Sequence, residues 1–270
     1  MRAGWTKSYY DMMEDYYWEP QLLRKITKKR GGTIEDFRKT IQRLGTLEIT
    51  LNHQLEIFFR LAPSSFIRDF FKATLAGEFT DDYDLLGHEL AARFKTHDAI
   101  QPDLYFLGTN SSVAIELKVR AKSSTGQVAK YALLDVLVNR TEPENRFSAL
   151  LFMGPKAFPD LWRERFRSPE DLIEATRASD LQTYARPHGV TPEELIKTLS
   201  RMSIAFASYQ NFAVCLSRAR AEIDRSSPYA QTYDALLAGM LYELAARKLV
   251  KVPPPQPVAA RPALVDPSSA

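Results

Sequence analysis

Three kinds of hydrophobic spacing divide the chain. From 33 to 75 the apolar residues fall at helical intervals: Phe37, Ile41, Leu44, Leu47, Leu51, Leu55, Phe58 and Phe59, then Phe66, Ile67, Phe70, Phe71 and Leu75. Thr33, followed by Glu35 and Asp36, reads as the cap of the first of these helices. Asp81 to Phe94 reads as a further helix, with Leu85, Leu86, Leu90 and Phe94 inward. The period then shifts to two. Asp103–Leu107 and Val113–Val119 read as strands, and Gly108-Thr-Asn-Ser-Ser112 between them has turn composition, so a hairpin is expected.

Helical spacing returns at Gln127–Arg140. Phe147–Met153 is an apolar run of buried-strand type, stopped by Gly154-Pro155. A strand–helix–strand order places this run parallel to the strand before the helix. Ser168-Pro169-Glu-Asp and Thr191-Pro192-Glu-Glu are helix starts: cap, proline at the first position, then acids. Met202–Tyr209 leans toward a strand. Asn211–Ile223 is helical with Arg218, Arg220 and Arg225 expected to be exposed, and Ser227-Pro228 opens a last helix to about Leu249. The fold class is therefore α/β: a small mixed central sheet in a large helical envelope. The regions expected are N-terminal helices over 1–80, a core over 81–215, C-terminal helices over 216–250, and a Pro/Ala-rich disordered tail over 251–270.

Composition narrows the setting. The chain has 270 residues, 45% hydrophobic and 26% charged, enough to build a real core. Its one cysteine, Cys215, lies in the apolar run Phe212–Leu216 and reads as a buried structural thiol. One cysteine excludes an internal disulfide framework and any Cys-rich metal site, and fits a reducing compartment. The opening residues carry no apolar signal core and no run has membrane-spanning length, so a cytoplasmic protein without membrane association is expected. The net charge of +3 does not by itself announce a nucleic-acid binder. Local basic clusters would supply phosphate contacts: Arg24–Arg30, equally readable as a helix end before Gly31, and Arg163–Arg167. The aromatic, acidic stretch Trp5–Trp18 reads as a helix docking its rings on the body, because acids among the rings disfavour base stacking.

The hairpin carries the chemistry. On a strand, Ala114, Glu116 and Lys118 share one face, and Val113, Ile115, Leu117 and Val119 the other. Asp103 begins the partner strand and can come beside Glu116. Two carboxylates on a rigid sheet suit Mg²⁺, which leans on one or two carboxylates plus waters and substrate phosphate. An adjacent ammonium can orient water or offset charge developing on phosphorus oxygens. Gln127 and Tyr131, four apart on the following helix, present polar groups on one face.

Pro102-Asp103 followed by Glu116-Leu117-Lys118 resembles the PD-(D/E)xK nuclease superfamily, and Gln127-x-x-x-Tyr131 resembles its RecB-type branch, over about residues 85–155. The resemblance implies a restriction-endonuclease-like core and Mg²⁺- or Mn²⁺-dependent hydrolysis of DNA. It implies metal ligation by Asp103 and Glu116, water or phosphate positioning by Lys118, an auxiliary role for Gln127 and Tyr131, and a third acid, Glu89, on the helix before the first strand. Exonuclease and endonuclease are both open, as is an inactive nuclease-like module that binds nucleic acid or protein. The N-terminal helices are candidates for a homo-oligomer or partner contact.

Overall fold

The structure is a computed structural model. It describes residues 4–17, 39, 47–87, 89–94, 101–119, 124–142, 146–155, 157–162 and 165–251, without the side chains of 13–17. The basic run Arg24–Arg30, the helix start at Thr33, Arg163 of the second basic cluster and the tail beyond 251 lie outside the described residues.

A five-stranded mixed sheet forms the centre, in the order β1-β2-β3-β4-β5. Its strands are β1 (Asp84–Leu86), β2 (Leu104–Leu107), β3 (Ser111–Leu117), β4 (Phe147–Gly154) and β5 (Ser203–Ser208). β1, β2 and β3 run antiparallel as a meander, and β4 and β5 add parallel to β3. The hairpin, the parallel return at 147–153 and the weakly signalled strand at 203–208 match the sequence expectation. The span 81–94 does not: it divides into β1 and a short helix, Glu89–Phe94. Its four inward residues are nonetheless all buried. Pairing of Leu85 with Phe106 and Leu86 with Tyr105 outweighs the local helical spacing, and the two leucines go to opposite faces of the sheet.

Alternation along the strands supplies a core on each face. Val113, Ile115 and Leu117 of β3, with Leu151 and Met153 of β4, face one side. There they meet α1 (Gly4–Tyr17), α2 (Glu48–Leu61), α3 (Ser64–Thr74) and two late helices described below, through rings such as Phe58, Phe59, Phe70 and Phe212. Ala114, Leu150, Phe152 and Ile204 face the other side. With Glu89–Phe94 as α4, the crossover from β3 to β4 is α5 (Thr125–Thr141). α5 buries residues around most of its circumference. Its outer surface is covered by α7 (Pro169–Arg177), α8 (Gln182–Ala185) and α9 (Pro192–Leu199), which follow the short α6 (Phe158–Leu161) between β4 and β5.

α10 (Tyr209–Ala221) and α11 (Ala230–Ala246) complete the chain's described part. Arg220, expected to be exposed, instead makes a two-pronged ion pair with the buried Asp234 at 2.9 and 3.0 Å. α1 lies along α11. Trp5 Nε1 donates to Leu236 O at 3.0 Å, and the Tyr10 hydroxyl donates to Glu243 at 2.8 Å. Arg247 ties the same corner together through Glu243 and Thr50 at 2.6 and 2.8 Å. Among the described residues no helix is long and apolar enough to cross a membrane.

Candidate active site

Turn chemistry sets the hairpin. Asp81 accepts from the Asn110 N–H at 3.0 Å, the Asn110 side chain at 2.8 Å and the Ser111 hydroxyl at 2.7 Å. Burial opposes its charge, but these Ser111 and Asn110 bonds prevail and hold the carboxyl below its ordinary range. Gly108 is required here, since a Cβ would lie 2.5 Å from Asp81 Oδ2. The register that follows pairs Leu104 with Ile115, and its continuation by one residue sets Asp103 across from Glu116.

Glu116 and Lys118 are both buried, and the ammonium donates to Glu116 Oε1 at 2.6 Å. The Gln127 amide donates to the same oxygen, and the Tyr131 hydroxyl to Glu116 Oε2. Gln127 also works in the first turn of α5, where its Oε1 accepts from the Ser124 N–H at 3.3 Å. One amide thus caps the helix and holds the site. Burial, then the Glu116 and Asp103 carboxylates, push the Tyr131 phenol well up, so it stays a donor.

Asp103 is held from the other side. Its Oδ2 accepts the Leu117 N–H at 2.8 Å, and its Oδ1 accepts from the Asn52 side chain at 3.0 Å. Burial, then the facing Glu116 carboxylate, push its carboxyl up to about 7, against the opposing Leu117 N–H. Glu48, one turn before Asn52 on α2, accepts the Val119 N–H at 2.8 Å and adds to the negative potential. The Asn52 Oδ1 is buried and has no hydrogen-bond partner among the described residues, and the buried Tyr209 hydroxyl lies near Glu48 and Asp103.

The five residues Asp103, Glu116, Lys118, Gln127 and Tyr131 therefore form one polar centre at the end of β3. Glu89 is placed beside Gly87, grouped with Glu56 and Arg60 of α2. Among the described residues no three His, Cys, Asp or Glu side chains gather closely enough to hold a metal ion between them. Glu48, Asn52 and Tyr209 escaped the sequence reading. The first two had a signal: Glu48, Asn52, Glu56 and Arg60 recur every four residues, a polar stripe on an apolar helix.

The donor set fits a hydrated Mg²⁺ better than a caged ion. Burial, and then repulsion from Glu116, raise Asp103, and a cation would offset both. The orphaned amide oxygen of Asn52 lies on the side chain that holds Asp103. Mg²⁺ commonly keeps several waters and needs only one or two carboxylates. No protein-family model, no curated protein and no solved structure matches the chain.

Proposed function

We propose that this protein is a Mg²⁺-dependent nuclease that hydrolyses DNA phosphodiester bonds. The observation that carries the reading is the convergence on Glu116: Lys118 from the same strand, Gln127 and Tyr131 from the next helix, and Asp103 from across the hairpin. Three antiparallel strands, with α4 between the first two, then a crossover helix and a parallel strand also support a restriction-endonuclease-like core.

In this reading Asp103 and Glu116 would hold the ion. Bound there, Mg²⁺ supplies a Lewis acid for a phosphoryl oxygen and lowers the pKa of a bound water. The protein's own residues have separable tasks. Lys118 is poised beside the reacting centre to hold a water or to offset charge on the phosphate oxygens. Gln127 and Tyr131 fix the Glu116 carboxylate in one orientation. Asn52 fixes Asp103 in the same way.

The test is cleavage of linear and closed-circular DNA with Mg²⁺ or chelator, comparing wild type with Glu116→Gln. The expected result is Mg²⁺-dependent cleavage that the variant loses while it still unfolds in one cooperative melt. Absence of cutting on both substrates, or equal cutting by the variant, overturns the reading.

One observation favours a second reading, a nuclease-like module that binds without cutting. Both Glu116 oxygens are already engaged by three donors. In that case Mg²⁺ leaves the melting temperature unchanged, and DNA is retained but not cut.

A further inference from the structure

On the sheet face away from α5, a cavity of about 680 Å³ opens between α3, α10 and the start of α11. Its size lies within the range of small-molecule sites. Phe66, Phe70 and Leu236, all buried, form the inner wall. At its edge Leu61 and Tyr229 are 65% and 76% exposed, so large apolar groups border the opening.

The charged groups lining this apolar space are mostly acidic. Asp69, Glu222 and Asp224 contribute three carboxylates to the lining, and Arg218 the only cation. Asp224 is engaged by Ser226, through its N–H and hydroxyl at 2.9 and 2.7 Å. The Asp69 and Glu222 carboxylates make no hydrogen bond or ion pair with a described residue. Both face the half-buried Tyr233 phenol, which burial, then Asp69 and Glu222, push up to about 12. The half-buried Cys215 thiol also feels Asp69, and burial is the main cause of its upward shift.

We propose that this cavity binds a small amphipathic cation, with the apolar body against Phe66, Phe70 and Leu236 and the ammonium group beside Asp69. Excess negative charge around an apolar hollow discriminates against fatty anions and leaves neutral molecules without an ionic partner. The inference does not depend on the nuclease reading, since the cavity shares no residue with the Glu116 centre.

Titration calorimetry on the full chain at pH 7.5 tests it, with n-decylamine, n-decanol and n-decanoate each below its aggregation threshold. The amine is expected to bind one to one, at least tenfold more tightly than the carboxylate. Asp69→Asn should weaken the amine about fivefold, the scale of one exposed charge contact, and leave the alcohol unchanged. Ala73→Trp, at an exposed rim position, should weaken amine and alcohol together. No binding by any probe, equal binding by all three, or an Asp69→Asn variant with unchanged amine affinity overturns the proposal. So does a basic amphipathic peptide that saturates the site one to one while the amine does not bind, because the surface would then be a protein-docking groove.

Discussion

The Asp103 carboxylate accepts the backbone N–H of Leu117 at 2.8 Å, one residue beyond the Glu116 it faces. This bond locks the two acids at the same level of the sheet, where each resists the other's charge. It gives the centre a measurable pH signature.

Asp103 binds its proton more tightly folded than unfolded, with a folded pKa of about 7 against an ordinary 3.8. Its contribution to stability is fully present below pH 3.8 and is lost as pH rises through 7. Asp103→Asn should therefore match wild type near pH 4 and exceed it by about 2 kcal/mol at pH 8. That figure is discounted from the full shift because Asp103 is partly exposed. Urea unfolding at the two pH values measures this. Under the nuclease reading, Mg²⁺ at pH 8 should restore wild type and leave the variant unmoved.

Glu116 and Lys118 are a buried pair, so truncating one strands the other. Glu116→Ala should cost about 3–5 kcal/mol, while Glu116→Gln combined with Lys118→Met should cost much less. A double-mutant cycle in denaturant gives the coupling. Additive single effects would show that the pair is not desolvated as described. Alanine variants are accordingly poor probes of cleavage, and the isosteric ones are preferred.

Tyr131→Phe removes one hydroxyl donor from Glu116 and should cost about 1–2 kcal/mol, leaving a buried carboxylate oxygen without its partner. Burial and the two acids push this phenol up, so an ultraviolet difference titration between wild type and Tyr131→Phe should place it above the exposed tyrosines.

Much of the hairpin and α5 was legible, because period-two alternation, turn residues and the Gln127/Tyr131 spacing all agree locally. Three things were not. β1 is three residues long and exists through its partner strand, so its helical spacing misled. Asn52 lies 51 residues before Asp103 and Glu48 71 before Val119, and no local pattern encodes those meetings. Arg220 has the spacing of a surface residue, but its acid lies on the next helix.

Gly126, next to Gln127, is a sensitive position of the same kind. A Cβ there would lie 2.3 Å from the Tyr184 hydroxyl and 3.2 Å from its Cζ. Gly126→Ala must displace the tip of the half-buried Tyr184 but gains about 1 kcal/mol of helix propensity, so its net effect should be within about 1 kcal/mol, and adding Tyr184→Phe should remove the cost of the overlap. Thermal melts of the single and double variants decide this; no recovery would place the cost in α5 itself.

Gly239→Ala should lift α1 from α11, since the added carbon would lie 2.3 Å from Trp5 Nε1. Limited proteolysis should then cut within residues 4–17 faster than in wild type, with a shift in tryptophan emission. An unchanged digestion pattern would mean that Trp5 does not anchor the helix.

The contact between Trp5 and Leu236 spans 231 residues of chain. A ribosome adding about 5–20 residues per second needs roughly 10–50 s to travel that distance. Throughout that interval Trp5 lacks the α11 partner that it has in the folded protein. The rate of synthesis therefore sets the earliest time at which α1 can dock on α11.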